Sequence, residues 1–560
     1  MTVHDMETTM KNIAVVPTNS LCHAGVRKHN FDLVTILVCG VVAAMGAATI
    51  GLALAPPSAE AVPSFARQTG QPCATCHTAF PELTPFGRRF KLGGYTMGGG
   101  LSNTEAPPIA AMLLPTFTKT KVQQDAPPTN ANGYPIAQVN NNLVMQQASL
   151  FYGGQIYGNL GALAQGTYDK AAQHTYLDNT DIRYADTHTF ETQLFGKLDV
   201  LYGLDVNNGP TVQDVWNTTP AWGFPYVAST LAPFSPPGTQ IEGGWGSHSV
   251  GTGAYVFLND MLYLEGSVYN NLSKGELTAT GQPCGNNSNS DYLQNVNAWA
   301  AINYPSGYPY SVACPSNSLA GASPYWRVAL EPTVGDHTLE IGAFGFYPQV
   351  LPGRVMGYGV DQYRDIGFDA QYQYIHEEHA LTLRVTRISE FQNLQATYAQ
   401  GIAAQFINAN GIVNAYGVAP VTGNASANPT NTLTSFKASG AYVWDHTLSA
   451  TVGYFSVRGS PDVTLYGNAL INPVAGGSAT SYPDSKGLIF DFAYLPFSKG
   501  SPGAYPWANA KLGVSYTHYL TVNGGTVNYD GQGVYFNGTS LRTKTATDND
   551  TLFLYAWIAF

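Results

Sequence analysis

Between Leu448 and Tyr454, apolar Leu448, Ala450, Val452 and Tyr454 alternate with Ser449, Thr451 and Gly453. A period of two sets the two groups on opposite faces of a strand. The pattern recurs along the chain. Leu262, Leu264 and Val268 alternate with Tyr263, Glu265 and Ser267, and Leu381, Leu383 and Val385 with Thr382, Arg384 and Thr386. Leu488, Phe490, Phe492 and Tyr494 share a face opposite Asp491, and Leu512, Val514 and Tyr516 alternate with Lys511, Gly513 and Ser515. The second face carries small or charged side chains, as the lumen face of a membrane barrel does. A two-layer sandwich also alternates, so the connections must decide.

Tight turns at Asn259-Asp260, Gly335-Asp336 and Asp445-His446 alternate with long segments at 207–245, 272–325, 390–432, 460–486 and 521–549. Short turns on one side and long loops on the other are the plan of an outer-membrane barrel, here with about 16 strands. The long segments are rich in Asn, Gly, Ser, Pro and Tyr and are expected to be exposed loops. The final run, Thr551 to Phe560, puts Leu552, Leu554, Ala556, Ile558 and Phe560 on one face and ends on an aromatic residue. It resembles the C-terminal signal of barrels inserted into the outer membrane. The predicted fold class is all-β, a transmembrane antiparallel β-barrel preceded by a small N-terminal α-helical module.

Composition sharpens this picture. The 560 residues are 44% hydrophobic and 11% charged, against roughly 25% charged in ordinary soluble domains. The formal net charge is −11, so the chain has no basic footprint for nucleic acid. At the N-terminus, Arg27-Lys28-His29 precedes an apolar stretch from Leu33 to Ala55, followed by Ser58-Ala59-Glu60-Ala61. This reads as an export signal over residues 1–61, cleaved after Ala61, with a retained anchor as the alternative. No later segment has the continuous apolar length of a transmembrane helix.

The chemistry lies just beyond that boundary. Of six cysteines, two stand in Cys73-Ala74-Thr75-Cys76-His77. Cys-x-x-Cys-His is the attachment motif of c-type haem: two thiols form thioethers and the adjacent imidazole binds the iron. Zinc would need a second Cys/His pair nearby, and none occurs between residues 78 and 170. A thioredoxin-like pair would need a βαβ setting, and none is visible. Phe80, Leu83, Phe86 and Phe90 are spaced to set apolar groups on one side of a following helix, against the porphyrin. Arg88 and Arg89 are candidates for pairing with propionates, or form a solvated basic patch. Met97 is the candidate distal ligand, since a Met/His pair raises the reduction potential. Met112, a barrel histidine and an open site are the alternatives. The predicted domains are 1–61 (signal), 62–106 (monohaem module) and 107–560 (barrel). A module of some 45 residues cannot shield a haem alone, so it is expected in or at the mouth of the barrel.

Cys284 and Cys314 share one long loop, where a disulfide would restrain it in an oxidising compartment. Inward-facing Asp199, Glu265, Glu340 and Asp491 are candidate oxygen ligands for iron, with lumen salt bridging as the plainer role. His376 and His379 flank Glu377-Glu378 and read as a solvated turn.

The run Val62 to Gly70, the Cys73–His77 motif and the run Phe80 to Arg88 resemble the fused monohaem cytochrome–porin family, the outer-membrane cytochromes c of iron-oxidising bacteria. Asn207 to Asp214 and Trp216 to Pro225 resemble the first long loop of that family. The resemblance implies one covalent haem c on Cys73, Cys76 and His77. It also implies ferrous iron as the electron donor at the cell surface and a periplasmic cytochrome c or cupredoxin as acceptor. That is oxidoreductase chemistry of the iron:cytochrome c type. Two other readings stay open: a surface cytochrome for a sulfur compound or an extracellular acceptor, and a porin-type transporter with a structural or sensory haem.

Overall fold

The computed structural model describes residues 62–560 apart from 129–134, 172, 194–195, 235, 244, 283–316, 355–357, 401, 403–424, 468–476, 501–504 and 537–540. The predicted signal (1–61) and the predicted Cys284–Cys314 bridge lie outside the described residues.

Sixteen long strands among the described residues form the wall. They are β1 (Ile109–Thr120), β2 (Asn142–Tyr157), β3 (Leu160–Asp169), β4 (His174–Thr192), β5 (Gly196–Asn207), β6 (Ser249–Leu258), β7 (Leu262–Asn271) and β8 (Ser323–Leu330). The second half comprises β9 (His337–Phe346), β10 (Asp361–His376), β11 (His379–Asn393), β12 (Thr430–Trp444), β13 (Leu448–Gly459), β14 (Ser485–Tyr494), β15 (Asn509–Thr521) and β16 (Thr551–Ala559). Each pairs antiparallel with the next. β1 also pairs with β16, from Met112 opposite Ala559 to Thr120 opposite Thr551, which closes the cylinder. Closure leaves no open edge, the condition for a sheet to cross lipid.

The side chains are distributed inside out. On β5, Tyr202, Leu204 and Val206 point outward and are exposed, while Asp205 and Asn207 are buried. Leu143, Leu150, Ile341 and Phe368 are more than half exposed, whereas Asp181, Arg183, Arg327 and Glu340 are fully buried. A continuous apolar exterior of this extent would aggregate in water and is stable against lipid tails. Trp444, Tyr442 and Tyr494 stand exposed near one rim, where amphipathic rings meet the headgroup layer. The protein is an outer-membrane β-barrel.

The predicted tight turns form. Asn259 and Asp260 both adopt left-handed φ (51° each), as do Asp445 and His446 (54° and 51°), matching the two-residue hairpin turn. His376 and His379 pair across another short turn. His376 is half exposed and its Nδ1 lies 2.7 Å from Asp336, so that pair sits in a solvated turn.

One expectation fails. The segment between β5 and β6, expected to be an exposed loop, folds into the lumen. Val212, Val215 and Trp216 are at most 2% exposed. A polar lumen reverses the usual rule. The segment's backbone finds buried partners there: Arg183 donates to Gln213 O (2.6 Å), Thr386 to Thr218 O (2.6 Å) and Gln371 to Trp216 O.

Candidate functional site

Three short helices precede the barrel: α1 (Pro63–Thr69), α2 (Cys73–Cys76) and α3 (Pro85–Leu92). Gly70, at φ 68°, ends α1 and donates its N–H to Ala66 O. α2 is the single turn carrying both cysteines, and His77 N donates back to Cys73 O at 2.9 Å. α3 begins at a proline and is capped by Thr84, whose Oγ1 accepts from Gly87 N (3.2 Å) and donates to Thr75 O (2.7 Å). That one hydroxyl ties α3 to α2. A Cβ on Gly87 would lie 2.2 Å from Cys76 O, so only glycine allows α3 to cross this close.

The helices dock inside the cylinder through buried polar contacts. Arg88 Nε lies 2.9 Å from Glu331, and its Nη1 donates to Gln371 (3.1 Å) and Gln373 (2.7 Å). Glu82 lies 3.2 Å from Arg384 Nη1 and accepts from Thr78 (2.9 Å) and Tyr226 (3.0 Å). Lys91 Nζ donates to Val212 O and Asp214 O at 2.7 and 2.8 Å, and lies over the Trp222 ring. Tyr95 donates to Asp181 at 2.6 Å. On the short-turn side, Ala74 N donates to Ser498 O at 3.0 Å, which places α2 beside the turn between β14 and β15.

Between module, lumen segment and wall lies a cavity of about 430 Å³. Cys73, Cys76 and His77 line it from α2. Phe65 lines it from α1, Phe90 from α3 and Tyr95 from just beyond α3, Trp222 and Tyr226 from the lumen segment, and Met112, Phe151 and Trp557 from the wall. Phe65 stacks on Tyr95 (5.5 Å) and meets Phe90 edge to face (5.0 Å). Phe80 meets Trp557 edge to face (5.5 Å).

The electrostatics favour a neutral imidazole. Burial lowers His77 to about 4, against the opposing pull of the Glu82 and Pro81 carbonyls beside the ring. Its Nδ1 lies beside these carbonyls without a hydrogen bond of good geometry. Burial and the neighbouring Cys73 push the Cys76 thiol up to about 12. Burial would raise the Glu82 carboxyl, but the Arg384 guanidinium, Lys511 and the Thr78 hydroxyl together outweigh it and hold the group below its ordinary range. Burial likewise lowers Lys91 to about 8.

The arrangement has what a covalently held porphyrin requires: two thiols and a neutral imidazole on one turn, facing a cavity walled by aromatic rings. Several predicted residues stand elsewhere. Met97 is 38% exposed and does not line the cavity, whereas Met112 does. The predicted helix starts later than the aromatic spacing implied, because Pro85 takes its first position. Phe80, Leu83 and Phe90 still line the cavity, while Phe86 points away and is exposed. Arg88 is committed to Glu331 and two glutamines. Arg89 bridges Asp199 (3.2 Å) and Asp260 at the short-turn rim. Neither reaches the cavity lining.

The candidate iron ligands fall into structural roles. Glu340 lies 3.0 Å from Arg327, which also binds Asp369 at 2.6 Å. Glu265 accepts from Gln213 (2.7 Å), Tyr263 and Ser267 (3.0 Å each). Asp491 accepts from Tyr555 at 3.2 Å. Asp199 sits at the rim with Arg89 rather than in the lumen. Among the described residues, no group of three or more His, Cys, Asp or Glu is placed to hold a metal ion. Sequence reasoning missed the lumen segment. Its signal was Val212, Val215, Trp216 and Trp222 in an otherwise polar stretch.

The fold and its inside-out surface define a porin-type outer-membrane barrel whose lumen is occupied by an N-terminal helical module. Among solved structures, OmpT of Vibrio cholerae is 10% identical over 81% of this chain and 96% of its own, with a TM-score of 0.34. The outer membrane channel DcaP of Acinetobacter baumannii is 10% identical over 81% and 96%, with a TM-score of 0.35. A BenF-like porin from Pseudomonas fluorescens Pf-5 is 10% identical over 81% and 97%, with a TM-score of 0.31. No protein-family model matches the chain, and no curated protein matches it.

Proposed function

We propose that this barrel is an outer-membrane c-type cytochrome that carries single electrons across the membrane. Ferrous iron is the donor at the cell surface, and a periplasmic cytochrome c or cupredoxin is the acceptor. One observation carries the reading: the Cys73–His77 motif faces an aromatic-walled cavity inside the lumen. The bilayer's hydrocarbon core insulates over about 30 Å, and a redox group held in the lumen would shorten the path an electron has to cross. Bound haem supplies a one-electron ferric/ferrous couple.

The protein's own groups do the rest. Cys73 and Cys76 tether the group on α2, and His77 offers a neutral nitrogen. Thr84 and Gly87 hold α3 against α2, and the buried ion pairs of Arg88 and Glu82 fix the module to the wall. Aromatic side chains line the cavity beside them. On the short-turn side, α2 adjoins Ser498, where a periplasmic partner has access. Farther along the lumen segment a second cavity of about 540 Å³ lies against Arg384, Lys437 and Tyr454. It shares Asn217, Pro220 and Gly223 with the first, and it offers a hydrated ion a route toward the module. Oxidation outside keeps insoluble ferric iron out of the cell.

The test is stopped-flow spectroscopy of the purified ferric holoprotein mixed with ferrous iron at acidic and neutral pH. Haem reduction is the expected result. Failure to reduce at either pH, while dithionite succeeds, overturns iron as the donor and leaves a sulfur compound or an extracellular partner.

A further inference from the structure

We propose that Met112, on the barrel wall, is the sixth ligand to the iron of a haem tethered by Cys73, Cys76 and His77. The inference rests on the haem reading above and adds to it a bond between module and cylinder.

Met112 lies on β1, the strand that closes the barrel, opposite Ser149 on β2 and Ala559 on β16. Its side chain is 4% exposed, while Ile109 on the same strand is 49% exposed toward lipid. Met112 therefore faces the lumen, where it lines the cavity that Cys73, Cys76 and His77 line from the other element. It packs with Ala110, Phe151 and Ala559 in one apolar cluster of the wall.

The other donors in the cavity are engaged or chemically unsuited. Lys91 Nζ is held by two backbone carbonyls, Tyr95 by Asp181 and Tyr226 by Glu82. Asp178 accepts from Thr167 at 3.0 Å, and carboxylates are hard ligands that suit other metals. Tyr176, on β4, also lines the cavity and is the competitor a test must separate. A thioether is soft, carries no charge and releases no proton on binding, so ligation by Met112 adds no buried charge. A Met/His pair also raises the reduction potential.

The experiment uses the full-length holoprotein purified from membranes, with the pyridine haemochrome spectrum as the measure of covalent haem. Wild type is expected to show the weak red charge-transfer band of methionine-ligated ferric haem. Met112→Leu conserves volume. It is expected to retain covalent haem, lose that band, turn high-spin, bind added imidazole and fall in midpoint potential. Met97→Leu and Tyr176→Phe are expected to keep the band. Haem-loaded wild type without the band, or a band that survives in Met112→Leu, overturns the assignment, as does a band lost in Met97→Leu. A spin state that changes only in Tyr176→Phe does the same. Each of these leaves the haem reading standing, whereas wild type with no covalent haem overturns both.

Discussion

Replacing Arg384 with methionine tests how the module is held. Arg384 and Glu82 lie 3.2 Å apart with side chains 4% and 2% exposed. Removing one partner of such a buried pair costs about 3–5 kcal/mol, because the remaining charge stays desolvated. Here Glu82 keeps hydrogen bonds from Thr78 and Tyr226 and the nearby charge of Lys511. The cost therefore belongs at the low end, about 3 kcal/mol, or roughly 150-fold in the equilibrium between docked and undocked module. Trypsin reads this directly. Of its three targets on α3, Arg89 is partly exposed, while Arg88 and Lys91 are buried at 1% and 6% and report opening. When opening is fast relative to cleavage, the rate follows the open population. In detergent-solubilised haem-free protein, cleavage at these two sites is expected to rise about 100-fold, with the barrel itself still resistant. The double variant Glu82→Gln with Arg384→Met removes the stranded charge and is expected to recover most of the protection. Wild-type cleavage in Arg384→Met, or no recovery in the double variant, refutes the argument.

Gly87→Ala brings a methyl group to 2.2 Å from Cys76 O. It is expected to cost about 1–3 kcal/mol by overpacking and to reduce haem attachment, read by in-gel haem staining against total protein. Glu82 is held below its ordinary value of 4.5, so its contribution to docking is complete above that value and is lost as pH falls through the lower, folded one. Pepsin cleavage within residues 63–92 is thus expected to be flat down to about pH 5 and to climb below it, with the climb diminished in Glu82→Gln. Sixteen-stranded porins leave an aqueous channel, but here the lumen holds the module and Val212, Val215 and Trp216. Planar-bilayer recordings are expected to show conductance far below that of an open porin, and porin-sized steps would contradict a filled lumen.

Much of this fold was legible along the chain, for a reason particular residues make plain. Strand periodicity survives in a barrel because each face meets a different medium. Leu381, Leu383 and Val385 meet lipid while Thr382, Arg384 and Thr386 meet the lumen. The turns were legible because Asn259-Asp260 and Asp445-His446 suit left-handed backbone. The Cys73–His77 motif was legible because its chemistry needs one helical turn. The sequence offered both Met97 and Met112 as distal candidates and could not rank them, since which methionine lines the cavity depends on the closed barrel. Met97 is nearer in sequence, yet it lies on the exposed turn beyond α3. Met112 belongs to the wall, and only closure of β1 on β16 turns it toward the cavity.

The lumen segment shows why polarity alone misled. Asn, Thr, Gly and Pro normally mark exposed loops because their backbone needs water. Inside this barrel the wall takes water's place: Arg183, Gln371 and Thr386 donate to the segment's carbonyls, and Glu331 accepts from the Trp216 indole. Arg327 lies over the Trp216 ring and binds Glu340 and Asp369, so the same wall charges that orient the segment are neutralised by one another. A cylinder with an apolar exterior must keep its polar residues inside, and those residues are then free to clamp a polar insert. The helical module, too small to build a core of its own, thereby gains a shell from the barrel. The lumen charges read as possible iron ligands, Glu265 and Glu340, act in that shell. Their worth lies in fixing the lumen segment against the cavity, which is why each has a protein partner.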